Sequence, residues 1–180
     1  AFSGIGGITD FGQALNYFLL GCGTVQVCTA AMLDHAVGPN VIKKLKDAGV
    51  VVMPSIGAKR HAEKVAEWGV DAVLVKCGEG GGHTGDVPTS LLLPQVVDAV
   101  DLPVIAAGGY FDGRGLVAAL AYGAAGIAMG TRFLLTSDWP VGDDVKQVYL
   151  GKGVNDTLRT TQVDGVPHRV LRTEFTEALD

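Results

Sequence analysis

Short apolar runs alternate with amphipathic stretches along most of this chain, and glycines mark the ends of both. Runs such as Ala72–Lys76, Pro103–Ala107 and Gly126–Gly130 read as buried strands. Ser3–Ile8, Thr24–Thr29 and Val50–Ser55 read the same way. Between them, Phe11–Leu20, Val41–Asp47, Lys59–Trp68, Ser90–Val100 and Gly113–Tyr122 read as helices. Asp10 is placed to cap the first helix and Gly21 to end it, while Gly49, Gly69 and Gly123 stop others. Apolar strands alternating with helices predict a parallel sheet covered by helices, joined by right-handed crossovers. The expected fold class is therefore α/β, a TIM-barrel-type array of parallel βα repeats. Six βα units are evident, where a closed barrel needs eight, so barrel closure stays open. Beyond Ser137 the pattern weakens, with one helix expected at Asp143–Leu150 and an extended stretch around Thr160–Leu171.

Composition narrows the function classes. A chain of 180 residues that is 48% hydrophobic has enough material for one domain with a core, and is too apolar to be disordered. A net charge of −5 without a block of like charges argues against nucleic acid as a partner. No apolar run is long enough to span a bilayer, and the start carries no signal-peptide pattern. Cys22, Cys28 and Cys77 lack metal-type spacing, so no metal is expected. Their odd number fits a reducing, cytoplasmic compartment. The chain opens at Ala1, without a methionine. Exposed strand edges would invite association, which leaves a homo-oligomer open.

The stretch Lys76-Cys-Gly-Glu-Gly-Gly-Gly-His-Thr-Gly85 carries the chemistry. Glycine lets backbone turn sharply and approach a ligand closely. Gly80, Gly81 and Gly82 thus deliver one imidazole, His83, a side chain of the type suited to general-base work. The competing reading is a glycine-rich surface loop with an incidental histidine. Gly108-Gly109 and Gly130-Thr131 follow neighbouring apolar runs. Bare N–H groups in such turns bind phosphate, although capping and turn geometry alone would also explain them. Gly7, Gly21 and Thr29 recur 102 positions later as Gly109, Gly123 and Thr131, with Asp10 matched by Asp112. That is either one ligand-binding unit in two copies or two βαβ units with the same capping needs. Asp10 and Asp112 read as caps, Cys28 and Cys77 as small core residues, and His61 as part of a solvated helix face. His35 and His168 have no evident partner in the sequence.

Four motifs now carry a resemblance. They are Val51-Val52-Met53-Pro54-Ser55, Gly78-Glu79-Gly80-Gly81-Gly82-His83-Thr84-Gly85, Pro103 to Gly109, and Met129-Gly130-Thr131-Arg132-Phe133. On these, residues 48–180 resemble the C-terminal half of nitronate monooxygenases and their FMN-dependent enoyl-reductase relatives. The resemblance implies FMN as cofactor, a small-molecule substrate, and His83 as a base on nitroalkanes. It implies that Gly108, Gly109, Gly130 and Thr131 contact the FMN phosphate, with Gly81 and Gly82 near the flavin ring or ribityl chain. Lys76 stands where that family usually has a glutamine bonded to the flavin. Val166 to Thr173 resembles the tail of a subgroup whose reductases act on CoA thioesters in steroid-ring degradation. That gives a second activity, an NAD(P)H-dependent FMN reductase on acyl-CoA thioesters.

Residues 1–47 resemble instead the end of a dihydropyrimidine or dihydroorotate dehydrogenase barrel, on Gly4 to Ile8, Gly21-Cys22-Gly23 and Val25 to Ala30. In that family Gly6, Gly7 and Thr29 would form a phosphate turn. The expected organisation is one βα-barrel-like domain over 1–180, divided into 1–47, 48–137 and a tail at 138–180. A joining of two FMN barrels near Leu45 to Ala48, natural or engineered, would explain the repeat. A chimeric scaffold with weak phosphate or FMN binding and no turnover is then a third reading.

Overall fold

The computed structural model describes residues 2–5, 10–19, 22–26 and 37–178. Gly6, Gly7, Gly21, Cys28, Thr29 and His35 lie outside the described residues, and so do the expectations attached to them. The chain divides into two compact units, residues 1–54 with 63–71 and residues 55–62 with 72–180.

In the first unit, β1 (Phe2–Ile5) and β2 (Cys22–Gln26) pair in parallel, with α1 (Phe11–Leu19) between them in sequence. A parallel pair needs such a crossover. Asp10 caps α1 by accepting from the Gln13 N–H at 3.0 Å. Helix α2 (Val37–Asp47) begins four residues before the expected Val41. Pro39 falls in its first turn, where a missing N–H costs nothing. Val41, Ile42 and Leu45 form its buried stripe, and Gly49, at φ 75°, stops it.

The strand expected at Val50–Ser55 is not formed as such: only Ser55–Ile56 enters a ladder, as β3. The reason lies in where the backbone groups go. Val52 donates its N–H to Asp71 Oδ2 at 2.7 Å and accepts from the Asp71 N–H at 3.0 Å. Pro54 has no N–H to give a ladder. Val51 and Met53 are exposed. Asp71 is held by an ion pair with Lys46. That contact and the Val52 amide keep its carboxyl below the usual carboxylate range.

The second unit is built on a parallel sheet of four strands. They run in the order β3, β4 (Val73–Lys76), β6 (Val104–Ala107) and β7 (Gly126–Ala128). Val73, Val75 and Cys77 alternate into the core, fully buried, beside Val104 and Ala106. Helix α4 (Thr89–Val97) covers them with Leu92, Leu93 and Val96, and α5 (Gly113–Ala121) adds Ala119. Asp112 caps α5 by accepting from the Arg114 and Gly115 N–H groups at 3.0 and 3.3 Å. Helix α3 (Lys59–Glu67) follows β3 and carries His61, exposed as expected. Lys76 pairs with Ala107, and Ala107 with Ala128. The last rung of the sheet is therefore common to three strands, and the loops after them rise from one edge.

The tail differs from its expectation. The stretch around Thr160–Leu171 is not one extended segment. It is a hairpin of β8 (Thr157–Thr160) and β9 (His168–Leu171), followed by the short α7 (Glu174–Ala178) and preceded by α6 (Asp143–Leu150). The chain reverses at Asp164-Gly165, where Gly165 sits at φ 84° and donates to the Thr161 carbonyl at 2.8 Å. Strand β9 also pairs antiparallel with β5 (Gly82–His83), Gly82 opposite Arg169 and His83 opposite His168. Among the described residues, six strands pair in parallel, in a two-stranded and a four-stranded sheet, which is the α/β fold of parallel βα repeats. No helix among them is long and apolar enough to cross a membrane.

Leu93 is 0% exposed and Leu91 on the same helix is 58% exposed. Leu93→Ala should therefore cost about 2–5 kcal/mol in denaturant unfolding, and Leu91→Ala within roughly 0.5 kcal/mol of none.

Candidate active site

The loop from Cys77 to Thr84 leaves the sheet at the C-terminal end of β4, and its polar groups fix its course. Gly78 donates to the Val87 carbonyl at 2.9 Å, and Gly80 to the Cys77 carbonyl at 3.1 Å. The Thr84 hydroxyl donates to that same Cys77 carbonyl at 3.0 Å. Arg169 of β9 donates to the Gly78 carbonyl at 3.0 Å. Glu79 turns back onto the start of α4, accepting from the Thr89 hydroxyl at 2.6 Å and the Thr89 N–H at 3.0 Å. A carboxylate there complements the positive end of the helix. Cys77 is fully buried, the small core residue expected, and burial pushes its thiol up.

The loop after β6 packs against this one at near-backbone distance. Gly108 has φ 108°, and a Cβ on it would stand 2.8 Å from the Gly80 nitrogen and 3.2 Å from the Cys77 oxygen. Only glycine fits there, in conformation and in space. Gly109 faces Glu79, and a Cβ on Gly81 would meet Thr131 Oγ1 at 3.3 Å. The Lys76 side chain runs under the loop, so that a Cβ on Gly80 would lie 3.1 Å from its Cε and one on Gly82 would lie 3.7 Å from its Nζ. Lys76, Gly81, Gly82, Gly108, Gly109 and Thr131 are thus brought to one edge of the sheet. Gly130 is on the adjoining loop, with open space within 4 Å of where a Cβ would be. Among the described residues, the N–H groups of Gly109, Gly130 and Thr131 have no acceptor.

His83 arrives on β5 at the far end of the loop. Its Nε2 lies 2.8 Å from Asp164 Oδ2. Asp164 also accepts from the Val166 N–H at 3.0 Å. That amide first, then the His83 contact, holds the Asp164 carboxyl below the usual range. An ionised carboxylate only accepts, so His83 Nε2 carries the hydrogen, and in the neutral ring the lone pair is on Nδ1. His168 does have partners: its ring centroid is 3.7 Å from that of His83, its Nδ1 is 3.3 Å from Asp164 Oδ1, and the same Nδ1 is 3.1 Å from the Val166 carbonyl. Its side chain is 14% exposed against 44% for His83, so His83 is the imidazole a ligand reaches.

Set beside known proteins, this arrangement is not isolated. The family model described as nitronate monooxygenase matches residues 7–180. The chain belongs to the nitronate monooxygenase family. A dehydrogenase of Rhodococcus jostii (strain RHA1), named for (3aS,4S,5R,7aS)-5-hydroxy-7a-methyl-1-oxo-octahydro-1H-indene-4-carboxyl-CoA, is 66% identical over 140 residues, which are 78% of this chain and 40% of that protein. Among solved structures, FabK from Thermotoga maritima superposes with a TM-score of 0.75 at 40% identity, over 78% of this chain and 45% of FabK. The nitroalkane oxidase of Streptomyces ansochromogenes gives 0.70 at 32% identity, over 77% of this chain and 43% of its own. The chain spans less than half the length of each of these relatives.

Asp164 and His168 beside His83, and Tyr110 near Cys77 and Glu79, join the candidate site in the structure, and the sequence reading did not place them there. The signal for the first two was present: Asp164-Gly165 is a turn dipeptide between two short β-type runs, which is a hairpin signature. Tyr110 follows Gly109, and its hydroxyl is buried without a partner among the described residues. Burial, reinforced by Cys77 and Glu79, pushes its phenol up to about 12, so it stays a proton donor.

Gly108→Ala should lower stability by ~1–3 kcal/mol, because alanine meets both the positive φ and the Gly80 backbone. Gly113→Ala, where a Cβ meets nothing within 4 Å, should leave stability unchanged or slightly raised in the same thermal melts.

Proposed function

We propose that this chain forms the phosphate-binding and proton-transfer side of an FMN-dependent oxidoreductase site. What carries the reading is the convergence at one sheet edge of the bare Gly109, Gly130 and Thr131 amides with the Gly80–Gly82 turn and His83. Those residues fit the cofactor. Unpaired N–H groups at the C-terminal ends of adjacent strands suit its phosphate. Gly81 and Gly82 leave a bare backbone surface for a flat ring, and the Lys76 ammonium near Gly82 favours negative charge on it. When bound, the flavin supplies the electron-accepting chemistry, and the chain supplies position and proton control.

His83 Nδ1 takes the proton that leaves the substrate. Asp164 holds the ring from the other side and balances the imidazolium that forms, the logic of a carboxylate-oriented base. Proton removal of this kind serves both candidate substrates. The nitroalkane reading, with the proton taken from the carbon α to the nitro group, is supported by the family and by the Streptomyces neighbour. The 66% identity to a carboxyl-CoA dehydrogenase supports a CoA thioester, either oxidised with the flavin taking its electrons or reduced with NAD(P)H supplying them. That identity gives the thioester the stronger claim.

The purified protein should show flavin absorbance, or bind FMN after stripping. The double change Gly109→Val with Gly130→Val should weaken that binding at least roughly tenfold. His83→Ala should keep FMN and lose roughly 100-fold to 10,000-fold in turnover. Anaerobic bleaching of the flavin by an acyl-CoA or by NAD(P)H, but not by a nitroalkane, would select the thioester substrate. A colourless protein that unfolds cooperatively and ignores FMN would overturn the proposal and leave the inactive scaffold.

A further inference from the structure

His83 and His168 stand directly opposite each other on antiparallel strands, so both side chains leave the same face of the β5–β9 pair. Asp164 comes from the turn between β8 and β9 and brings a carboxylate to both rings, at 2.8 and 3.3 Å. One hydrogen-bonded carboxylate is enough to orient one base, so the second imidazole is in excess of what proton transfer needs. One donor atom from each of the three residues lies within 4.8 Å of the others.

From this we infer that His83, Asp164 and His168 form a binding site for a divalent transition-metal ion of the zinc, cobalt or nickel type. Two imidazoles and a carboxylate are a borderline donor set that favours these ions over calcium or magnesium. Ligands around one such ion at ordinary bond lengths stand about 3.3 Å apart. Closing from 4.8 Å is within the reach of side-chain rotation, because His83 on β5 and Asp164 in the hairpin turn are 44% and 42% exposed. Asp164 is preset for it by accepting from the Val166 amide at 3.0 Å. Three protein ligands leave a coordination position for water or another small ligand. Because His83 is one of them, bound metal occupies the imidazole proposed above as the base. Binding itself is independent of that proposal and needs neither flavin nor substrate.

The test is a cobalt titration of the chelator-treated protein, followed by its visible ligand-field absorption. The expected result is an intense band that saturates at one equivalent, is displaced by zinc, and is unaffected by magnesium. His168→Gln and Asp164→Asn should each weaken binding by roughly tenfold or more, whereas His61→Gln should not. Zinc should also raise the melting temperature of the unaltered protein and not that of His168→Gln. A variant that simply fails to fold is recognised by its loss of a cooperative melt. In that event the paired variants His83→Ala and His83→Gln carry the same comparison. A spectrum like that of free cobalt, or binding unchanged by His168→Gln and Asp164→Asn, would overturn the site. If His83→Ala lowers turnover while no metal binds, only the metal inference falls. If metal binds and FMN does not, only the flavin proposal falls.

Discussion

The approach of Gly108 to Gly80 is the contact on which the candidate site depends. Two loops that leave neighbouring strands can share one small volume only because neither carries a Cβ where they meet. A single methyl group at Gly108 would stand inside van der Waals distance of the Gly80 nitrogen, in a backbone conformation that side chains avoid. Everything downstream follows from that closeness. The Cys77 carbonyl is free to accept from both Gly80 and Thr84. Thr84 in turn donates to the Pro167 carbonyl at 2.9 Å. The β8–β9 hairpin is thereby tied to the glycine loop, and His83 is delivered opposite His168.

The polar contacts of this region give position more than stability. Glu79 on Thr89, Asp164 on His83 and Asp86 on Arg159 all involve partly or largely exposed side chains, and such pairs add little to folding free energy. Their effect is geometric. Glu79 fixes the loop to α4, and Asp164 fixes the tautomer of His83. The stabilising work is done elsewhere, by Val73, Val75, Leu93 and Val96 in the dry layer between sheet and helices. A rigid apolar layer with a polar, hydrogen-bonded rim is what lets the rim hold one arrangement.

Much of the fold was legible because its signals are local. The apolar runs at Val73–Lys76 and Val104–Ala107 became the central strands. Asp10 and Asp112 capped helices 102 residues apart, so the repeat has a structural counterpart in two parallel βαβ pairs. The errors came where a distant partner overrode a local preference. Val50–Pro54 is apolar enough for a strand, yet Asp71 captured the amide and carbonyl of Val52. Thr160–Leu171 looked extended, and the turn at Gly165 folded it in two.

The sequence by itself determined the class of fold, the positions of the glycine turns, and which residues could do chemistry. Those follow from periodicity, from the conformations open only to glycine, and from the titration range of an imidazole, each a property of a short segment. Only the tertiary structure decided that His83 has Asp164 and His168 as companions. Asp164 and His168 follow His83 by 81 and 85 positions and meet it through the pairing of β5 with β9. Strand register is set by the whole packed unit, so no local pattern around His83 could announce its partners.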